Sequence, residues 1–170
     1  MSFIFDEYAK DYFNLDKKRN SQNTDNWDYN CGGYALGTFS WFLLDSFERD
    51  YDLNYYNMTI EEIEKRVVSM EDDCVEEIVE VFGGLVRSIS TLSELREDEY
   101  AVLFRISYND MGYVDDFHFV KRHHDGHYSH KPGKSPVVEF ENDPFDGDWS
   151  NRCLVYNAPI KILAVSNLLY

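Results

Sequence analysis

Length, composition and charge favour one folded domain and argue against two classes of binding protein. The chain has 170 residues, including 12 Phe, 13 Tyr and 3 Trp, an aromatic content that argues against disorder. Its formal net charge of −16 disfavours direct binding to nucleic acid and to anionic membrane surfaces. We therefore expect a single domain spanning residues 1–170.

Targeting and redox signals point to a cytosolic protein. No apolar run has the length of a transmembrane helix, and the acidic start "MSFIFDEYAKDYF" lacks the basic region and apolar core of a signal peptide. The three cysteines are an odd number, which argues against a disulfide framework. These features predict a protein kept in a cytosol, either that of its own cell or that of a host.

The first predicted element is a buried helix that begins at or just after Cys31. The polar run at residues 20–30, "NSQNTDNWDYN", is typical of a loop. A mostly apolar segment follows and ends near Asp45; its large residues include Phe39, Trp41 and Leu43.

A second helix is indicated by a capping box and an apolar stripe. Thr59 and Glu62 have the spacing of a capping box, and apolar residues then recur at helical intervals until "FGG" ends the pattern. Cys74 falls on this stripe, which predicts a core position. The acidic run at residues 71–73 leaves open a division into two helices.

Strand-like segments dominate after Gly84. "LVRSIS", "YAVLFRISY", "DFHFVKRHH", "HYSHK", "CLVYN" and "IKILAVSN" are short and rich in β-branched or aromatic residues. Helices followed by a run of strands predict an α+β fold with a mainly antiparallel sheet. Cys153 falls in one of these strands, where we expect it to pack, and residues 135–149 are expected to form a loop that borders a cleft.

Cys31 has the setting of a nucleophile if the helix begins there. Unsatisfied backbone N–H groups would then stabilise a thiolate, lower the thiol pKa and hold an oxyanion. The small pair Gly32-Gly33 would leave space for a substrate. The competing interpretation is a buried cysteine beside a glycine turn.

All five histidines lie between residues 115 and 133, around a tight turn at "HHDGHY". His123, His124 and His127 are expected at the exposed tip, without a chemical role. A two-residue loop would pair His124 with His127 and place His118 and His130 on opposite faces. A three-residue loop would pair His123 with His127 and place them on one face, so a shift of one residue decides the outcome.

Two uses of the histidines remain open. His118 and His130 are candidates for a general base and its orienting partner beside Cys31. Several histidines together could instead bind zinc or another divalent ion, but a strand presents only alternate residues to one side, and the acids and cysteines show no recognised ligand spacing. We therefore predict neither a metal nor another cofactor.

The segments "NCGGYALG", "DFHFVKR" and "DGHYSHKPG" together resemble blocks of small, uncharacterised bacterial and phage proteins. Those proteins belong to the broad papain-like group that includes the NlpC/P60 and CHAP relatives. The order is also similar, with the cysteine early and the histidine late on a strand. The resemblance implies N-terminal helices packed on a mainly antiparallel sheet, and thiol chemistry on an amide, ester or isopeptide bond.

Residue roles follow from the same resemblance. Cys31 would be the nucleophile and His118 the general base. His130 would be the third polar member, with Asp116 as its rival, and the Asn30 amide would lie where it could assist an oxyanion. The supporting residues are Asn30, Asp116 and Tyr34.

Three functional hypotheses follow. The first is a papain-like peptidase or amidase, a cysteine-dependent hydrolase or acyl-transferase acting on a peptide or protein substrate. The second is a non-enzymatic acidic inhibitor, encoded by a phage or mobile element, that mimics nucleic acid and blocks a basic groove of a host protein. The third is a structural protein that keeps the fold with an inactive site. Substitution of Cys31 by alanine would inactivate the enzyme but not the inhibitor, whose binding would weaken with salt.

Overall fold

The fold is built around an antiparallel sheet. A long helix covers one face of this sheet, and a small two-stranded sheet covers the other. The computed structural model describes residues 29–49, 51–53, 57–109, 111–151 and 153–167, so most of the loop predicted at residues 20–30 lies outside it. The elements are α1 (Cys31–Ala35), α2 (Ile60–Val81), β1 (Val86–Ile89), β2 (Glu99–Tyr108), β3 (Val114–Arg122), β4 (Tyr128–His130), β5 (Val138–Glu139), β6 (Trp149–Asn151), β7 (Leu154–Tyr156) and β8 (Lys161–Ser166). The main sheet has the order β1-β8-β2-β3-β4-β5, and β6 pairs with β7. The α+β class with a mainly antiparallel sheet is thus confirmed.

Helix α2 follows its sequence signals closely. Thr59 and Glu62 form the capping box: the Thr59 side chain accepts from the Glu62 N–H at 3.3 Å, and the Glu62 carboxylate accepts from the Thr59 N–H at 2.8 Å. Cys74 is fully buried, as predicted. The helix is continuous through the acidic run, where Glu71 turns inward and accepts a hydrogen bond from the Ile106 N–H at 3.1 Å. No helix among the described residues is long and apolar enough to cross a membrane.

Helix α1 is much shorter than predicted, because it ends at Ala35 instead of continuing to about Asp45. Gly37 adopts a φ of 72°, a left-handed conformation that stops the helix. The chain then folds back over α1, where Gly33 packs so closely that an added Cβ would lie 1.9 Å from the Ser40 carbonyl oxygen. A side chain at position 33 would therefore prevent this return.

The returning segment is not helical, and the burial of residues 41–44 alternates from one residue to the next, as in extended chain. Along it, Phe42 and Leu44 pack toward the interior, whereas Trp41 and Leu43 face outward with 42% and 69% of their surface exposed. The prediction that Trp41 and Leu43 belong to a buried helix is therefore wrong. The alternation of sides along extended chain explains the difference.

The sheet separates two apolar clusters. One lies between α2 and the sheet and contains Phe104, Phe117 and Phe119. The other lies on the opposite face, where Val120 packs with Trp149 and Tyr156 of the small sheet. Successive residues of β3 thus alternate between the two clusters, which places His118 on the side of the small sheet.

Two strand predictions need correction. The segment 135–149 is not all loop, because it contains β5 and the first residue of β6. Cys153 does not pack in a strand; it is exposed in the turn between β6 and β7. The short apolar run after it forms β7 as predicted, but the strand begins one residue later, at Leu154.

Candidate functional site

The histidine hairpin has the three-residue loop. The His123 N–H donates to the His127 carbonyl at 2.8 Å, and Arg122 pairs with Tyr128. This register places His118 and His130 on one face of the sheet, where His118 Nε2 and His130 Nδ1 are 2.7 Å apart. Because this hydrogen bond uses Nε2 of His118, the other nitrogen of the ring, Nδ1, is the one that would take a proton from a substrate or a thiol.

The other three histidines lie at the hairpin tip. His124 and His127 are exposed, as predicted, but His123 is half-buried. The His123 and His127 rings stack with centroids 4.0 Å apart, and His123 Nε2 lies 2.6 Å from Ser129 Oγ. These contacts stabilise the turn and do not bring the three rings to the Cys31 side.

His118 lies in an apolar setting that keeps it neutral. Only 3% of its surface is exposed, and its ring packs against Tyr156 with centroids 5.2 Å apart. Burial, together with the neighbouring His130, lowers the pKa of His118 to about 3. Burial also lowers the pKa of His130, to about 4. At neutral pH both rings are therefore neutral, and the same burial makes His118 a weak base in the resting site.

Cys31 is the first residue of α1, as predicted, but its thiol is not activated at rest. Burial raises the pKa of Cys31 to about 12; the nearby Asp116 carboxylate adds to the increase, and the backbone N–H of Phe119 opposes it. The expected lowering of this pKa by the helix start is therefore wrong, since desolvation outweighs the local amides. The resting site holds a neutral thiol and a neutral imidazole.

Cys31 and His118 both lie at a cleft beside β3. Of the residues of β3, only Lys121 and Arg122 pair with β4, and α1 packs against both strands. Cys31 and His118 line the same cleft, which has a volume of about 410 Å³. Among the described residues, no hydrogen bond joins the Cys31 thiol to either histidine. The cleft therefore brings the two groups together without a direct hydrogen bond between them.

Asp116 also lines the cleft, yet it does not orient His118. Its carboxylate accepts hydrogen bonds from Arg49 at 2.9 Å and from the Tyr156 hydroxyl at 3.0 Å. His130, by contrast, is bonded directly to His118. Of the two rivals for the third polar position, the geometry therefore favours His130.

Asn30 and Tyr34 support the position of α1. The Asn30 side chain accepts from the Gly33 N–H at 3.1 Å and the Phe42 N–H at 3.0 Å, and donates to the Phe42 carbonyl at 2.7 Å. Its amide is thus engaged, and it holds the backbone rather than an oxyanion. The Tyr34 hydroxyl lies 2.6 Å from Ser129 Oγ and joins α1 to β4.

Sequence reasoning missed several residues of the cleft. Tyr156, Arg49 and Cys153 line it, and Trp41 and Leu43 form part of its wall. Tyr156 lies in a segment whose sequence predicts a strand. The sequence of that segment does not show which part of the main sheet the strand packs against. Among the described residues, no group of three or more His, Cys, Asp or Glu side chains is arranged to hold a metal ion.

Comparisons with known proteins identify no relative. No family model matches the chain, nor does any curated protein or solved structure. The functional argument therefore depends on the geometry of the cleft.

Proposed function

We propose that the protein is a cysteine-dependent hydrolase or acyl-transferase that acts on an amide or peptide-type bond, with Cys31 as nucleophile and His118 as general base. The observation that carries the proposal is that Cys31 and His118 line one cleft. In addition, His130 Nδ1 is hydrogen-bonded to Nε2 of the His118 ring. The proposal includes a papain-like arrangement, in which the cysteine helix packs against the histidine strand. It also places the protein in a cytosol, where its three unpaired cysteines would stay reduced.

The chemical step starts from the neutral pair. As the Cys31 sulfur bonds to the substrate carbonyl carbon, the thiol proton moves to His118 and the carbonyl oxygen becomes an oxyanion. The backbone N–H groups of Cys31 and Gly32, which lie close enough to the sulfur to lower its pKa, are candidates to hold the oxyanion. His118 then gives the proton to the leaving nitrogen as the carbon–nitrogen bond breaks. Water, or an acceptor amine, next attacks the thioester and releases Cys31.

The pH dependence of Cys31 alkylation tests this pair. Since Cys153 is exposed at the same cleft, the measurement uses a Cys153→Ser background, with Cys31→Ala as the blank and iodoacetamide labelling followed by intact mass. Removal of the thiol proton by neutral His118, in concert with formation of the sulfur–carbon bond, gives a rate that does not depend on pH between the two pKa values, about 3 and about 12. Reaction through free thiolate rises with pH instead. We expect a rate that is nearly constant between pH 5 and 9.

The matched variant is His118→Ala in the same background. Without the base, alkylation must wait for free thiolate, so its rate should rise by about tenfold per pH unit. If the parent protein already shows that slope and His118→Ala leaves it unchanged, Cys31 and His118 are not coupled and the proposal fails.

The acidic inhibitor remains the alternative, because α2 presents a strongly acidic outer face. Its exposed acids are Glu61, Glu62, Glu64, Asp72, Asp73, Glu76 and Glu80. A protein that occupies a basic groove through this face would retain its effect in Cys31→Ala and lose it on charge reversal at Glu64, Asp72 and Glu76, with a steep dependence on salt. A catalytic protein would show the opposite pattern in the same two variants.

A further inference from the structure

We infer that Trp41 and Leu43 form a subsite for a bulky apolar side chain, of the size of Leu or Phe, on a peptide substrate. The inference rests on the proposed function, because the subsite lies on the wall of the cleft that holds Cys31 and His118. The two side chains are among the most exposed large apolar residues of the described chain, at 42% and 69%. Neighbouring exposed apolar residues on the rim of a cleft are typical of a binding surface.

The outward direction of Trp41 and Leu43 is built into the fold. Between them, Phe42 is gripped at both its N–H and its carbonyl by the Asn30 side chain. The Phe42 ring packs inward against Phe119, with centroids 5.9 Å apart. Since successive residues of extended chain face opposite sides, Trp41 and Leu43 cannot turn inward while Phe42 holds its place.

The Asn30 side chain also links the subsite to the helix that carries the nucleophile. Asn30 caps α1 at Gly33 while it holds Phe42. Gly33 in turn lies directly under the Ser40 carbonyl, one residue before Trp41. These contacts tie the apolar wall to the helix that carries Cys31, as a subsite near the nucleophile requires.

The charges of the cleft favour recognition by apolar contact. Its one carboxylate, Asp116, is matched by Arg49 at 2.9 Å and by the Tyr156 hydroxyl. Lys134 is the other cation of the lining. A substrate selected by the positive charge of Lys134 would carry an acidic residue instead. A probe with an acidic side chain therefore distinguishes recognition by charge from recognition by apolar contact.

The test uses acetyl-X-Ala acyloxymethyl ketones, where X is Gly, Leu, Phe, Glu or Lys, on the full chain in the Cys153→Ser background. The Cys31 sulfur displaces the carboxylate leaving group and forms a thioether, while the thiol proton passes to His118. The second-order labelling rate is measured by intact mass and divided by the iodoacetamide rate of the same variant. We expect X = Leu or Phe to react about tenfold or more faster than X = Gly, as burial of one apolar side chain implies.

The double variant Trp41→Ala/Leu43→Ser should lose this preference. Its matched control is Phe145→Ala/Met111→Ala, which removes side chains of similar exposure, 44% and 65%, away from the cleft and should keep it. A flat series, a preference for Glu or Lys, or a Leu preference that survives the double variant overturns the subsite while Cys31 remains reactive. If no ketone labels Cys31 above the Cys31→Ala blank, the proposed function itself fails.

Discussion

Replacement of Glu71 by glutamine should remove a large pH dependence of stability. Glu71 is fully buried in α2, one of its carboxylate oxygens accepts from the Ile106 N–H at 3.1 Å, and the other has no hydrogen-bond partner among the described residues. Burial raises its pKa from 4.5 to about 8. The folded protein therefore prefers the protonated acid, so the contribution of Glu71 is fully present below pH 4.5 and is lost as the pH rises toward 8.

The magnitude follows from the size of this change. Each pKa unit corresponds to about 1.4 kcal/mol, so the shift from 4.5 to about 8 amounts to roughly 5 kcal/mol in the free energy of unfolding. Glutamine has nearly the same shape, keeps an oxygen for the Ile106 N–H and stays neutral. We expect Glu71→Gln to resemble the parent near pH 5 and to be more stable by several kcal/mol at pH 8.

Urea unfolding at several pH values between 5 and 8.5 measures the difference. The control is Glu76→Gln, which removes an exposed carboxylate from the same helix and should give a curve parallel to that of the parent. If Glu71→Gln also runs parallel to the parent across this range, Glu71 is ionised in the folded protein and the reasoning is refuted.

Three further predictions concern the cleft. The lowered pKa of His118, about 3, means that its contribution to stability is present above pH 6.5 and is lost as the pH falls toward 3. Between pH 7 and pH 4.5, the free energy of unfolding should therefore fall by roughly 2 to 3 kcal/mol less in His118→Asn than in the parent, as measured by urea unfolding. An equal fall in the two proteins would contradict the prediction. Asn30→Ala should lower the free energy of unfolding by about 3 kcal/mol, since it removes a helix cap and the hydrogen bonds to the Phe42 backbone. Asn30→Ser keeps a cap acceptor and should cost less. Equal losses would show that the hydrogen bonds to Phe42 contribute little. Gly33→Ala should cost about 3 kcal/mol or more, because its Cβ meets the Ser40 carbonyl at 1.9 Å, and a thermal midpoint equal to that of the parent would disprove this packing.

The elements that sequence predicted well are those whose signals are local. The capping box at Thr59 and the apolar stripe after it define α2 without reference to the rest of the chain. The strand segments were found for the same reason, since β-branched and aromatic runs mark strands wherever they lie. The same stripe also predicted the core position of Cys74.

The length of α1 shows where local reasoning stops. The segment after Cys31 is apolar enough for a helix, and its outcome depends on Gly33 meeting the Ser40 carbonyl and on Asn30 holding Phe42, contacts that no periodicity reveals. Cys153 and Tyr156 joined the cleft in the same way, through the packing of β6 and β7 against the sheet.

What the sequence determined by itself was the set of chemical groups: a cysteine at a helix start, histidines around one turn, and the class of fold that carries them. Tertiary structure decided how those groups meet. A one-residue choice of hairpin register placed His118 and His130 on the same face. Burial kept His118 neutral and also kept Cys31 a neutral thiol, against the expectation from the helix start, because removing a charge from water costs more than a few backbone amides return.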